Sequence, residues 1–229
     1  MSALLQKLAW CVATVLVYAG GRQLHLRGRA HPLLNPAVTA ALVLYAATRA
    51  LQVSWVDYKL ATRPLALMLG PATVTFAVPV YRRLADLRKA LAPALCAIAA
   101  GSLAAAASAM IIARTLGAPA LVVRSLAPKS VTTPIAMAVS ARIGGSPELT
   151  AGFVIFTGVV GALVVPSLFT LLHIHDRRAR GIAIGIAAHG LGTARALTLG
   201  EAEGAFSILG MGISGFFVPI VVPLLARFC

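Results

Sequence analysis

A chain of 229 residues with 59% hydrophobic and only 11% charged side chains holds more apolar surface than one water-soluble core buries, since soluble domains run at about 45–50% apolar and about 25% charged. The bilayer is the solvent that accounts for it. The net charge of +14 suggests nucleic acid at first, but the Lys and Arg residues fall in short gaps between apolar runs instead of forming one solvated face, which excludes that partner.

Apolar runs of membrane length occur, in chain order, at about 3–20, 33–48, 64–81, 91–113, 119–140, 149–172, 180–199 and 205–226. Unbroken apolarity rules out the alternation of a β-barrel. The expected fold is therefore all-α: a single membrane domain over 1–229 with about seven or eight transmembrane helices, some of them broken or re-entrant. The first run, with Lys7 ahead of it and Ala19-Gly20 at its end, has the shape of a cleaved signal, but its membrane-like continuation favours a retained first span. Cys11, Cys96 and Cys229 have no paired or metal-ligand spacing and are read as small apolar side chains. If all eight runs cross, Lys and Arg divide almost equally between the two sides. If 119–140 turns back, the basic stretches 22–29, 82–89 and 177–180 share one side with Arg227, which the positive-inside rule makes cytoplasmic.

Two runs carry chemistry. Segment 119–140 holds Arg124, Pro128, Lys129, Ser130, Thr132, Thr133 and Pro134. Each proline removes a backbone donor and disrupts the preceding turn, so an irregular stretch between half-helices is expected. Such backbone survives at membrane depth only inside protein or beside a wet cavity. The half-helix opening near Pro134 offers free N–H groups and a positive dipole end, and Lys129 adds a charge: a ready anion site. Snorkelling of Lys129 to an interface is the plainer alternative, but a Lys at helix centre costs roughly 2.5–3.5 kcal/mol on insertion scales. Pro71 lies in Leu69-Gly-Pro-Ala-Thr-Val-Thr75, which echoes Leu126-Ala-Pro-Lys-Ser-Val-Thr132 and hints at an internal repeat of broken helices.

In the second run, His189, Gly190, Gly192, Thr193 and Arg195 are followed by Glu201 and Glu203, with Gly200 and Gly204 around the acids. The glycines loosen the helix. His189 offers a titrating ring, and Arg195 a planar fork for a carboxylate or for an ion pair with Glu201 or Glu203. Lys129, Ser130, Thr132, Thr133, His189, Thr193 and Arg195 form the expected binding set, with Glu201 and Glu203 as coupling or ion-pair acids. The Gly181/Gly185 pair and the small residues from Gly101 to Ser108 read as close-packing helix faces. No HExxH, CxxC or Walker loop occurs, so neither an enzyme, a metal site, a cofactor site nor ATP-driven pumping is expected.

Three stretches, LGPATVTFAVPVYRRL at 69–84, LAPKSVTTPIAMAVSARIGG at 126–145 and ARGIAIGIAAHGLGTARALTLGEAEGAFS at 179–207, resemble the LrgB/CidB (antiholin-like, YohK-like) family. They are also similar to the C-terminal half of the plant plastidial glycolate/glycerate translocator. The likeness covers nearly the whole chain after about residue 30. It implies a multi-pass protein of the bacterial cytoplasmic membrane, working beside a small LrgA/CidA-type membrane partner. It also implies either permeation of small carboxylates such as pyruvate, glycolate or glycerate, or holin/antiholin-like control of murein hydrolases and lysis. A homo- or hetero-oligomer is expected. No site residue comes from the resemblance.

Overall fold

The structure, a computed structural model, describes residues 3–28, 34, 36–68, 71 and 74–228. Every element among them is helical, as expected. The chain divides into two compact units, Met1–Thr75 and Phe76–Cys229.

In the first unit, α1 (Ala3–Arg27) packs on α2 (Pro36–Ala50) and α3 (Trp55–Ala61), and α4 (Arg63–Leu67) follows. Ser54 caps α3 by accepting from the Asp57 N–H at 3.1 Å. Tyr58 sets α3 against α1 through an edge contact with Trp10, 5.4 Å between centroids, and a 2.9 Å hydrogen bond with Thr14. The Cys11 thiol donates to the Ala61 carbonyl, Cys96 is exposed, and Cys229 lies outside the described residues. The proposed echo around Pro71 also falls largely outside them, since 69, 70, 72 and 73 are not described.

The second unit runs α5 (Ala77–Arg82), α6 (Leu84–Lys89), α7 (Leu91–Thr115), α8 (Ala120–Leu126), α9 (Thr133–Arg142), α10 (Pro147–Leu171), α11 (Arg177–Leu199) and α12 (Glu201–Leu225). Local chemistry fixes several boundaries. Ser146 caps α10 with Pro147 at its first turn, and Asp176 caps α11 by accepting from the Arg178 and Ala179 N–H groups at 2.7 and 3.1 Å.

Segment 119–140 turns back. The Thr150 hydroxyl lies 2.9 Å from the Ser125 carbonyl oxygen and 2.7 Å from the Ser140 hydroxyl. In a straight helix Ser125 and Ser140 would stand about 22 Å apart. The first leg, α8 and the turns through Val131, therefore reverses at the extended residue Thr132, and α9 returns beside it.

α11 also reverses, at His189, whose φ of 39° and ψ of −130° lie far from helix. A methyl group on Gly192 would lie 2.9 Å from Ile184 Cγ2 and 3.2 Å from the Ile184 carbonyl, although eight helical residues rise about 12 Å. The ion pair between Arg177 and Glu203, 3.8 Å, joins the start of α11 to the start of α12, as only a folded-back α11 permits.

The expected seven or eight spans are not matched by continuous helices. By length and composition four helices among the described residues qualify, α7, α10, α11 and α12, or five if the α2–α3 pair, bent by 119°, is one span. The reversal takes α11 out of the list of simple crossings. Segment 64–81 is divided as well, into α4 and α5 with turns at Met68, Thr75 and Phe76.

The two hairpins enter from opposite ends of this unit. α7 leads to the first hairpin, which enters and leaves on the face where α7 ends and α10 begins. α10 crosses back to the second hairpin, which enters and leaves where α12 begins. Apolar clusters agree: Leu87, Ala94 and Ile98 meet Ile182 and Phe206 at one end, and Met110 and Ala113 meet Val123, Val218 and Val222 at the other.

α11 is the central element, with half of its apolar window buried against 17–28% for α7, α10 and α12. The expected Gly181/Gly185 packing face lies against α12. A methyl group on Gly181 would come within 2.5 Å of the Glu203 carbonyl, and one on Gly185 would overlap the Ser207 carbonyl. We expect Gly185→Ala to destabilise the protein by about 1–3 kcal/mol in a denaturant titration, the usual range for overpacking. We also expect cysteines placed at Arg114 and Arg142 to react with an impermeant reagent from one side of the membrane, and one at Arg177 from the other.

Candidate functional site

The two reversals place the sequence-predicted residues at hairpin tips. Lys129 and Ser130 close the first leg of the first hairpin, where tight turns link the Lys129 N–H to the Leu126 carbonyl and the Val131 N–H to the Pro128 carbonyl. Thr132 is the N-cap of α9, but its side chain makes no capping bond, and Pro134 occupies the first turn. The opening N–H groups of α9 thus lack a side-chain cap, leaving a positive dipole end at the tip of the hairpin. The Ser130 hydroxyl is buried without a partner, although a buried hydroxyl is normally paired.

The tip of the second hairpin is His189, 4% exposed. A carbonyl can only accept, so His189 Nε2–H donates to the Val154 carbonyl of α10 at 2.9 Å. Nδ1 is then the ring's free nitrogen. Gly158, one turn along α10, makes room for the ring: a methyl group there would lie 2.8 Å from His189 Cε1. A non-glycine residue at positive φ costs about 1–3 kcal/mol and persists only where its surroundings hold it. Gly190 opens the second leg and Gly192 packs on Ile184 and Ala188.

Both tips adjoin Val154 of α10. Val154, which accepts from His189, shares one apolar cluster with Ala127 and Val131 of the first tip. Lys129 is half-buried and takes part in none of the four ion pairs among the described residues. The N-terminus of α9 at Thr133 therefore begins just after a basic residue and an unpaired hydroxyl. Chemically this combination suits a small anion.

Two expectations change. Arg195 is exposed on the second leg of α11, with Nη1 3.4 Å from the Thr198 hydroxyl, and it pairs with neither acid. The reversal at His189 brings Arg177, not Arg195, to Glu203. Glu201 is exposed and meets Arg83 at 3.4 Å and Arg82 at 3.9 Å. Thr193 is fully buried but tied to the Ser207 hydroxyl of α12 at 2.9 Å, which makes it a strut of the hairpin.

Sequence reading missed the Val154 carbonyl, Gly158 and the Ser125–Ser140–Thr150 cluster that staples the first hairpin. Ser125 and Ser140 stand almost evenly either side of Thr132, which was the available signal for a reversal there. If the positive φ at His189 is strained, His189→Gly should be more stable than His189→Ala by about 1–2 kcal/mol. That order is opposite to the helix scale, and thermal unfolding of the two purified variants decides it.

The LrgB-like family model matches residues 14–228, across both units. Among relatives, YwbG of Bacillus subtilis (strain 168) is 38% identical over 219 residues, 94% of this chain and 95% of that protein. YxaC of the same organism is 33% identical over 195 residues, 83% of this chain and 85% of that protein. Antiholin-like protein LrgB of Bacillus cereus (strain B4264) is 28% identical over 217 residues, 95% of this chain and 94% of that protein. No solved structure matches significantly. The resemblance expected from the motifs at 126–145 and 179–207 holds over nearly the full length, and the chain belongs to the LrgB-like family of multi-pass membrane proteins.

Proposed function

We propose that the two hairpin tips form an anion-binding centre through which this antiholin-like membrane protein passes small monocarboxylates, without ATP. The observation that supports the reading is the grouping of Lys129, the unpaired Ser130 hydroxyl and the uncapped start of α9 at the first tip, with the His189 tip bonded to the Val154 carbonyl nearby. Inverted repeats with broken helices at the midplane are the usual architecture of such a site. In this reading Lys129 supplies the charge, Ser130 and the first turn of α9 supply donors, and Thr132 and Thr133 flank them. His189 Nδ1 and the Gly190–Gly192 turn close the site from the other hairpin. Glu203, buried with one carboxylate oxygen unpartnered, is the acid we assign to proton coupling. Glu201, exposed and paired, is not. The face carrying Arg82, Arg83, Arg88, Lys89, Arg177, Arg178 and Arg180 is richer in basic residues than the face carrying Arg114, Arg124, Arg142 and Arg227. We therefore place it on the cytoplasmic side of a bacterial inner membrane. A small LrgA/CidA-type protein is the proposed partner.

A second reading, regulation of murein hydrolase export and lysis, is the one the printed names of the LrgB relatives favour over permeation. Uptake of labelled pyruvate or glycolate into proteoliposomes, with and without the small partner, separates the two. We expect saturable uptake that falls at least about tenfold in Lys129→Gln, the cost of one charge-assisted hydrogen bond, while the variant keeps its thermal stability. Dye leakage with no saturable substrate would instead establish the regulator reading, and a fully active, folded Lys129→Gln would remove Lys129 from the site.

A further inference from the structure

A groove of about 650 Å³ runs between α7 and the first leg of α11, with Phe206 of α12 also lining it. Small side chains form both walls, Ala97, Gly101 and Ala105 on α7 and Ala179, Ala183 and Ala187 on α11. From Ala90 to Ala105 it extends about 22 Å, and along α11 about 17 Å. One leaflet of a bilayer with a hydrocarbon core of about 30 Å is about 15 Å deep. The groove is thus long enough for one acyl chain, and apolar except at one end.

That end is charged. Arg178 lines it, and Arg88 and Lys89 precede Ala90, another lining residue. None of the three belongs to an ion pair among the described residues. Asp176, the carboxylate in the lining, has Oδ1 occupied by the Arg178 and Ala179 N–H groups that it caps. Unpaired cations at the head of an apolar slot complement one kind of amphiphile. We propose that the groove seats an anionic phospholipid, with an acyl chain between α7 and α11 and the phosphate at Arg178 and Lys89. Basic pockets between membrane helices bind anionic headgroups in this way. The seat is separate from the anion centre, but Ala187 stands two residues before His189, so the bound chain braces the leg that carries the second tip.

Native mass spectrometry of the full-length protein, purified in detergent and offered equal phosphatidylglycerol and phosphatidylcholine, tests the seat. We expect phosphatidylglycerol to be retained preferentially and glycerol 3-phosphate, the headgroup without chains, not to compete. The preference should fall roughly fivefold per charge removed in Arg178→Gln and Lys89→Gln. Total lipid retention should fall in Ala97→Leu, which fills the slot from an exposed position. Both glutamine variants alter exposed, unpaired side chains, and the lipid competition on the unmodified protein decides the matter even if a variant misfolds. Equal retention of the two lipids, competition by glycerol 3-phosphate, or a lipid-free dimer seated on this face would each overturn the proposal.

Discussion

A polar backbone group in hydrocarbon has no water to turn to, and the second unit is organised around the two places where its chain reverses at that depth. At the first reversal, tight turns from Leu126 to Val131 satisfy most of the chain, and Pro128 has no N–H to satisfy. Below the tip, Thr150 contacts the Ser125 and Ser146 carbonyls and the Ser140 hydroxyl, so one side chain fixes both legs and the start of α10. The second reversal is made by a single residue. His189 leaves helical geometry and sends its ring to a carbonyl of α10 that is already part of a helix. The cost is carried by the backbone angle, and glycines at 158 and 192 remove the side chains that would stand in the way.

What holds the legs in place is close approach more than apolar bulk, since lipid is as apolar as any core. Gly181 and Gly185 let α11 sink onto the backbone of α12, and Gly210 returns the fit against the Ile182 carbonyl. At this range hydroxyls can pair directly across helices, Thr193 with Ser207 and Ser102 with Ser214. The small residues therefore do two jobs in sequence: they bring backbones together, and the resulting short distances give buried hydroxyls their partners. α12 is common to most of these contacts, which explains why its prolines at 219 and 223 fall near its far end, beyond the contacts with α11.

Much of this was legible in the residues. Pro128 and Pro134 around Lys129 marked irregular backbone, the glycines around His189 marked a break, and Gly181/Gly185 marked a packing face. What could not be read was the direction of the chain after each break. Hydropathy treats an apolar run such as 180–199 as one span, because it records depth-compatible composition and not the path through it. That loss of direction produced the wrong partner for Glu203. Arg195 is nearer in sequence, but the fold-back delivers Arg177. Carbonyl acceptors such as that of Val154 are invisible to side-chain reading altogether.

The opposite entry of the two hairpins bears on how the proposed site would work. Their bases are clamped, the first by the Thr150 cluster and the second by the glycine contacts with α12. In the proposed site Lys129 supplies a charge at one tip and His189 a neutral ring with Nδ1 free at the other. A small anion seated there would draw the tips together by lying between the two. An empty site would lack that bridge, and a ligand shifts such a balance only by binding one state better than the other. Because each hairpin is rooted on a different face, moving one tip away from the anion opens the site to one side while the other tip still covers it. The antiparallel placement of two short hairpins thus supplies, without a large domain movement, the geometric condition for exposing a bound anion to each side in turn.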